Sequence, residues 1–162
     1  MFIYSVRGST VRLLVLLLLL ATVVGVIALS GEIGVVSAVS SATEIDYSGI
    51  KSMEDRVGFI NNFGIEVDSS GEESVAFRMP DNFDRVIAGY NELQKRQGLD
   101  LLKYKNKKVT RYTYRVTNYA CDGEVYANLF VYRGKIVACD LTCTDDGGFV
   151  IPLTQVDRSN LK

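Results

Sequence analysis

The chain has 162 residues, 48% of them hydrophobic, and a formal net charge of −1, a size and balance that suit one domain. It contains no histidine and no tryptophan. The lack of histidine excludes Ser-His and Cys-His catalytic pairs and histidine-containing metal sites. The near-neutral balance offers no global attraction to nucleic acid, so no nucleic-acid partner is expected; the sequence holds no phosphate-binding glycine loop, and no cofactor is expected.

Charge and hydropathy divide the chain near its start. Arg7 and Arg12 are followed by Leu13 to Leu29, an apolar run without a charge. As a helix that run spans roughly 25 Å, a little less than a hydrocarbon core of about 30 Å, and Arg12 can snorkel at one end. The reading is a transmembrane anchor or uncleaved signal at 13–29, with residues 1–12 cytoplasmic by the positive-inside rule and everything beyond exported. A signal peptide cleaved near Ala38-Val39-Ser40 is the alternative. Residues 30–48, rich in Gly, Ser, Ala and Val, form a linker. Residues 49–153 form the extracytoplasmic domain, and 154–162 a polar tail that frays. From Thr43 onward there are 16 basic and 18 acidic residues.

The spacing of Met53, Val57, Ile60 and Phe63 predicts a helix over 52–63. Ser52 and Asp55 are placed as a capping box, and Gly64 as its stop. A short strand at 65–67, a loop at 68–73 and a second strand at 74–79 follow. Pro80 closes that strand, and Asp81 is placed to cap a second helix. Phe83, Val86, Ile87, Tyr90 and Leu93 give this helix one apolar stripe, expected to be core, and Gly98 ends it.

Lys103, Lys105, Lys107, Lys108 and Arg111 form the strongest local charge feature, with Tyr112 and Tyr114 close by. These seven are the candidate binding residues, for anionic lipid headgroups or an anionic wall polymer. The bland reading is a solvated loop leading to an edge strand. Lys108 to Cys143 then reads as a three-strand meander with turns at Asp122-Gly123 and Arg133-Gly134. Its middle strand is apolar on both faces and should be central. A two-residue turn at Arg133-Gly134 pairs Leu129 with Ala138 and Ala127 with Asp140. That register places Asp140 on an apolar face, where Arg111 or Arg115 is expected to pair with it. The same register brings Cys143 near Cys121, a possible disulfide in an oxidising exterior, although strand parity then demands a bulge at Asp122-Gly123. Cys139 is left as a packed thiol, and no metal site is expected. Val150 and its neighbours add a last strand, with Pro152 at an edge.

Several words in this order carry a resemblance: Pro80 to Asp84 (PDNFD), Tyr90 to Gln94 (YNELQ), Gln97 to Asp100 (QGLD), Arg111 to Tyr114 (RYTY), Val116 to Tyr119 (VTNY) and Ala127 to Leu129 (ANL). Together with Gly148-Phe149 they resemble the family catalogued as domain of unknown function 4830, typically small membrane-anchored or exported proteins of Firmicutes. The resemblance covers residues 50 to 150 and implies location and architecture, but no chemistry. The chain departs from the family at Ile65, where members carry an aromatic residue, and at Ala138-Cys139-Asp140, where they read Gly-Gly-Asp.

The expected fold is α+β, with two helices packed on one face of an antiparallel meander of four to five strands, preceded by a transmembrane helix. The expected function is a non-enzymatic, membrane-tethered extracytoplasmic binding or interaction module with a protein or envelope partner, working through the sheet's open face or edge. One alternative is a binder of anionic envelope polymer or lipid headgroups through Lys103 to Arg111. The other is a carboxylate-based hydrolase around Asp140.

Overall fold

The computed structural model describes residues 44–162. The segments read as cytoplasmic N-terminus, anchor and most of the linker lie outside the described residues. Among the described residues no helix is long and apolar enough to cross a membrane.

Ser52 opens the first helix, α1 (Met53–Asn61), through a closed capping box. Its hydroxyl accepts from the Asp55 amide, and the Asp55 carboxylate accepts from the Ser52 amide at 2.8 Å. Gly64, at φ 81°, ends the turn that follows. One strand, β1 (Val67–Arg78), then replaces the expected strand–loop–strand. Its ladder with β2 (Lys108–Val116) jumps from Asp68↔Arg115 to Glu73↔Thr113, so residues 69–72 bulge outward opposite Tyr114. The polar residues read as a loop are this bulge, folded over Asp68 by hydrogen bonds from Ser70.

The second helix, α2 (Arg85–Lys95), starts one turn later than expected, because Asp84 and not Asp81 caps it by accepting from the Ile87 amide at 2.8 Å. The meander continues through β3 (Val125–Tyr132) and β4 (Lys135–Cys143) to β5 (Val150–Ile151), giving a five-stranded antiparallel sheet in sequential order. Arg133 and Gly134 both adopt positive φ, 48° and 74°, so they form the left-handed two-residue turn that antiparallel strands favour. Beyond the turn the register departs from the simple one. Phe130 pairs with Ala138 and Val131 with Ile136, which leaves Val137 as a bulge. Leu129 therefore faces Cys139, Ala127 faces Leu141, and Asp140 faces Asn128. One extra residue moved Asp140 to the opposite face of the sheet.

The helices lie on opposite faces, not one. On the first face Phe59 and Ile60 of α1 join Tyr114, Ala127, Leu129 and Leu141 in the main core. On the second, Tyr90 of α2 packs against Phe130 at 5.8 Å between ring centres, beside Phe77, Val109, Val137 and Ala138. Because the central strands β3 and β4 are apolar on both sides, each face requires its own cover.

The outer edge of β4 is closed by pieces from far away in sequence. Ile136 N–H donates to Tyr47 O at 2.8 Å, and Ile50 N–H donates to Gly134 O at 2.9 Å. Residues 45–48, expected in the linker, are thus part of the domain. Further along, Cys139 N–H donates to Gln94 Oε1 at 3.0 Å, and Gln97 Nε2 donates to Cys139 O at 2.6 Å. Two amide side chains stand in for a neighbouring strand and remove an exposed edge. The tail is ordered too: Ala120 N–H donates to Asn160 O, Lys162 N–H to Asn118 O, and Tyr119 bridges Leu161.

Candidate functional site

The positive charges that converge come from four separate places, and the predicted lysine stretch supplies only one of them. Between the start of α1, β2 and the Arg133-Gly134 turn lies a groove of about 440 Å³. Lys51, Arg56, Lys108 and Arg133 line it, with Tyr112 and Thr110 on its wall and no carboxylate among the lining residues. Arg56 projects from the buried side of α1. Its guanidinium lies 3.8 Å over the centre of the Tyr112 ring, donates from Nε to Tyr114 Oη at 2.7 Å, and meets Glu72 from the β1 bulge at 2.8 Å. Tyr114 Oη in turn donates to Glu72. Burial works against the Arg56 charge, but the hydrogen bonds it donates to Tyr114 and Glu72 leave its pKa raised. Burial, then the bond to Glu72, pushes the Tyr114 phenol up, so it stays neutral.

Glu72 satisfies Arg56, which leaves Lys51, Lys108 and Arg133 as the free cations of the groove. All three are exposed, and none has an ion-pair partner among the described residues. Arg133 reaches this position only through a left-handed backbone, which costs a side-chain-bearing residue about 1–2 kcal/mol relative to glycine.

The seven predicted binding residues do not form one surface. Alternation along β2 turns Tyr112 and Tyr114 toward α1 and Arg111 to the opposite face. Tyr114 has no exposed surface, so it braces Arg56 and cannot touch a ligand. Lys103 and Lys107 are exposed on the connection before β2, and the Lys105 ammonium lies 5.6 Å from the Phe83 ring centre. Of the seven, Lys108 and Tyr112 line the groove. Sequence reasoning missed Lys51, Arg56 and Arg133. The one local signal was an arginine in a turn whose geometry favours Asn or Gly.

Asp140 is 3% exposed, and neutral donors hold it. Tyr90 Oη donates to Oδ2 at 2.5 Å, while Asn128 Nδ2 and Thr142 Oγ1 donate to Oδ1 at 2.9 and 2.7 Å. Neither expected arginine pairs with it: Arg115 sits 3.6 Å from Glu124 on the exposed surface, and Arg111 acts only at longer range. Burial raises the Asp140 carboxyl, and the three hydrogen bonds oppose that shift. Burial likewise pushes up the Cys139 thiol, which is inert packing.

Cys121 and Cys143 are joined as a disulfide. No bulge at Asp122-Gly123 is involved: Cys121 lies outside both strands, and the Val137 bulge resets the face that Cys143 occupies.

The sequence model of a protein family described as Domain of unknown function (DUF4830) matches residues 59–141, from within α1 almost to the end of β4. No curated protein and no solved structure matches the chain.

Proposed function

The chain belongs to the DUF4830 family, and from that premise we propose that it is a non-enzymatic, extracytoplasmic binding module, tethered to the cell membrane through residues 13–29, that holds an anionic envelope polymer or lipid headgroup in the groove beside α1. The observation that carries this reading is the convergence of Lys51, Lys108 and Arg133 on one groove, where among the described residues they have no ion-pair partner and no carboxylate joins the lining. The left-handed Arg133 adds to it: local strain kept at the mouth of a groove suggests a use for that side chain. The Cys121–Cys143 disulfide supports an oxidising location. The non-enzymatic part rests on Asp140, whose carboxylate is enclosed by Tyr90, Asn128 and Thr142 with no second carboxylate bonded to it.

The test is titration of the full chain, held in nanodiscs of zwitterionic lipid, with inorganic polyphosphate and separately with vesicles of anionic lipid, each at low and high salt. Binding is expected to weaken as salt screens the groove. At roughly 1 kcal/mol for each cation, reversing Lys51, Lys108 and Arg133 together is expected to weaken binding by about two orders of magnitude. Reversing Lys103 and Lys107 should leave it nearly unchanged. An equal loss from both variants would return the site to the linear lysine stretch, and salt-independent binding would refute an anion site altogether.

A further inference from the structure

A second groove lies on the other face of the sheet, and its origin is visible in α2. The stripe Phe83, Val86, Ile87, Tyr90 and Leu93 has the spacing of a core-facing surface, yet none of the five is fully buried, and Val86 is 78% exposed. The helix buries Asn91 and Gln94 instead, because its C-terminal half turns over the β4 edge to reach Cys139. Its N-terminal half is thereby held off the sheet. The space left open measures about 530 Å³, within the range of small-molecule sites. Phe77, Phe130, Met79 and Leu101 form its floor, and Val86 and Ile87 one wall.

Arg111 is the charged side chain on this face; Arg78 borders the groove too, but it pairs with Lys108 in the ladder, which turns its side chain toward the α1 face. Arg111 lies between Val75 on β1 and Phe130 on β3, and it has no ion-pair partner among the described residues. An apolar trough ending at the Arg111 guanidinium complements an apolar chain with an anionic head. A peptide would bring its own amides into a trough whose floor offers no polar partner, at a desolvation cost that an alkyl chain avoids. A second copy of this chain is a poor occupant, because among the described residues Val86 is the one exposed apolar residue of the lining and the others are partly or fully buried, short of the roughly 800 Å² per partner of a stable interface.

We propose that this groove binds a single-chain anionic amphiphile, with the acyl chain against Phe77, Phe130 and Val86 and a carboxylate or phosphate head on Arg111. The site is separate from the cationic groove beside α1, since Arg111 and Tyr112 point to opposite faces of β2.

The experiment uses the full chain in nanodiscs of zwitterionic lipid with a diazirine-bearing palmitate as probe, and peptide mapping of the labelled positions after illumination. Label is expected in the peptides holding Phe77 to Leu101 and Phe130. Excess palmitate or hexadecyl phosphate should compete it away, and hexadecanol should not. Because a guanidinium–anion contact is worth about 1.5–3 kcal/mol, Arg111→Glu is expected to cut labelling by at least about tenfold. Val86→Asp, at an exposed position, should cut it with the melting temperature unchanged. Equal competition by hexadecanol, or labelling unaffected by both substitutions, would overturn the proposal. So would Val86-dependent self-association without any labelling.

Discussion

Replacing Gln94 with alanine separates what the apolar pattern of α2 implies from what the fold does with it. The stripe marks Val86 as core, whereas the structure leaves Val86 78% exposed and buries the polar Gln94, four residues after Tyr90 on the same helical face, completely. Gln94→Ala strips the acceptor from the buried Cys139 N–H, which costs about 1–3 kcal/mol for an orphaned donor. It also removes one acceptor of Gln97 Nε2 and opens a small void, adding on the order of 1–2 kcal/mol. Part of this is offset, because Gln94 Nε2 is itself buried without a partner among the described residues and alanine is the better helix former. The net expectation is a loss of about 2–4 kcal/mol. Val86→Ala should fall within about 0.5 kcal/mol of the parent, since most of the side chain never leaves water. Urea denaturation followed by circular dichroism measures both, and hydrogen exchange at the Cys139 amide gives a local reading. Should Val86→Ala cost more than Gln94→Ala, or the Cys139 amide stay equally protected, the edge-capping role of the glutamines would be wrong.

Two further outcomes are expected. Burial raises the Asp140 carboxyl in the folded protein, so its contribution is fully favourable below the ordinary carboxylate range and is lost as pH rises through the folded value. The wild-type stability advantage over Asp140→Asn should therefore shrink from acid toward neutral pH, the exposed aspartates Asp46, Asp55 and Asp68 being common to both proteins; parallel curves would refute the assignment. Breaking the Cys121–Cys143 bond, which links residues 22 apart, should cost about 3 kcal/mol in a denaturant titration with and without reductant, and coincident curves would deny the staple any role.

Local signals carried most of the elements. The Ser52–Asp55 capping box, the left-handed Gly64 and Gly98, and the Arg133-Gly134 turn all lie where short-range stereochemistry places them. What escaped was decided by partners distant in sequence. The polar run at 69–72 reads as a loop because nothing local says that ladder pairing resumes at Glu73. The Val137 bulge is equally silent: Ile136 to Leu141 is buried throughout, so no alternation marks the extra residue. That single residue placed Asp140 on the wrong face and set its expected partners wrong with it. The tail's pairing with residues 118–120 is set by Asn160 and Lys162 meeting a loop some forty residues earlier, a contact that a polar composition conceals.

The same alternation explains why the basic stretch is not one site. In an extended strand successive side chains point to opposite faces, so a run such as Lys107 to Arg111 cannot deliver all its charge to one ligand. Lys108 and Tyr112 turn toward α1, where Lys51, from the helix approach, and Arg133, from the hairpin turn, join them. Arg111 turns the other way, to a floor of phenylalanines and a helix wall that ends in solvent. Each face then pairs its share of the charge with different surroundings: a polar groove braced by Arg56 and Glu72 on one side, an apolar trough on the other. On the reading proposed above, a diffuse polyanion would meet several cations in the first, and an alkyl chain would meet apolar contact area in the second. Charge changes at positions 108 and 111, three residues apart, are therefore not interchangeable.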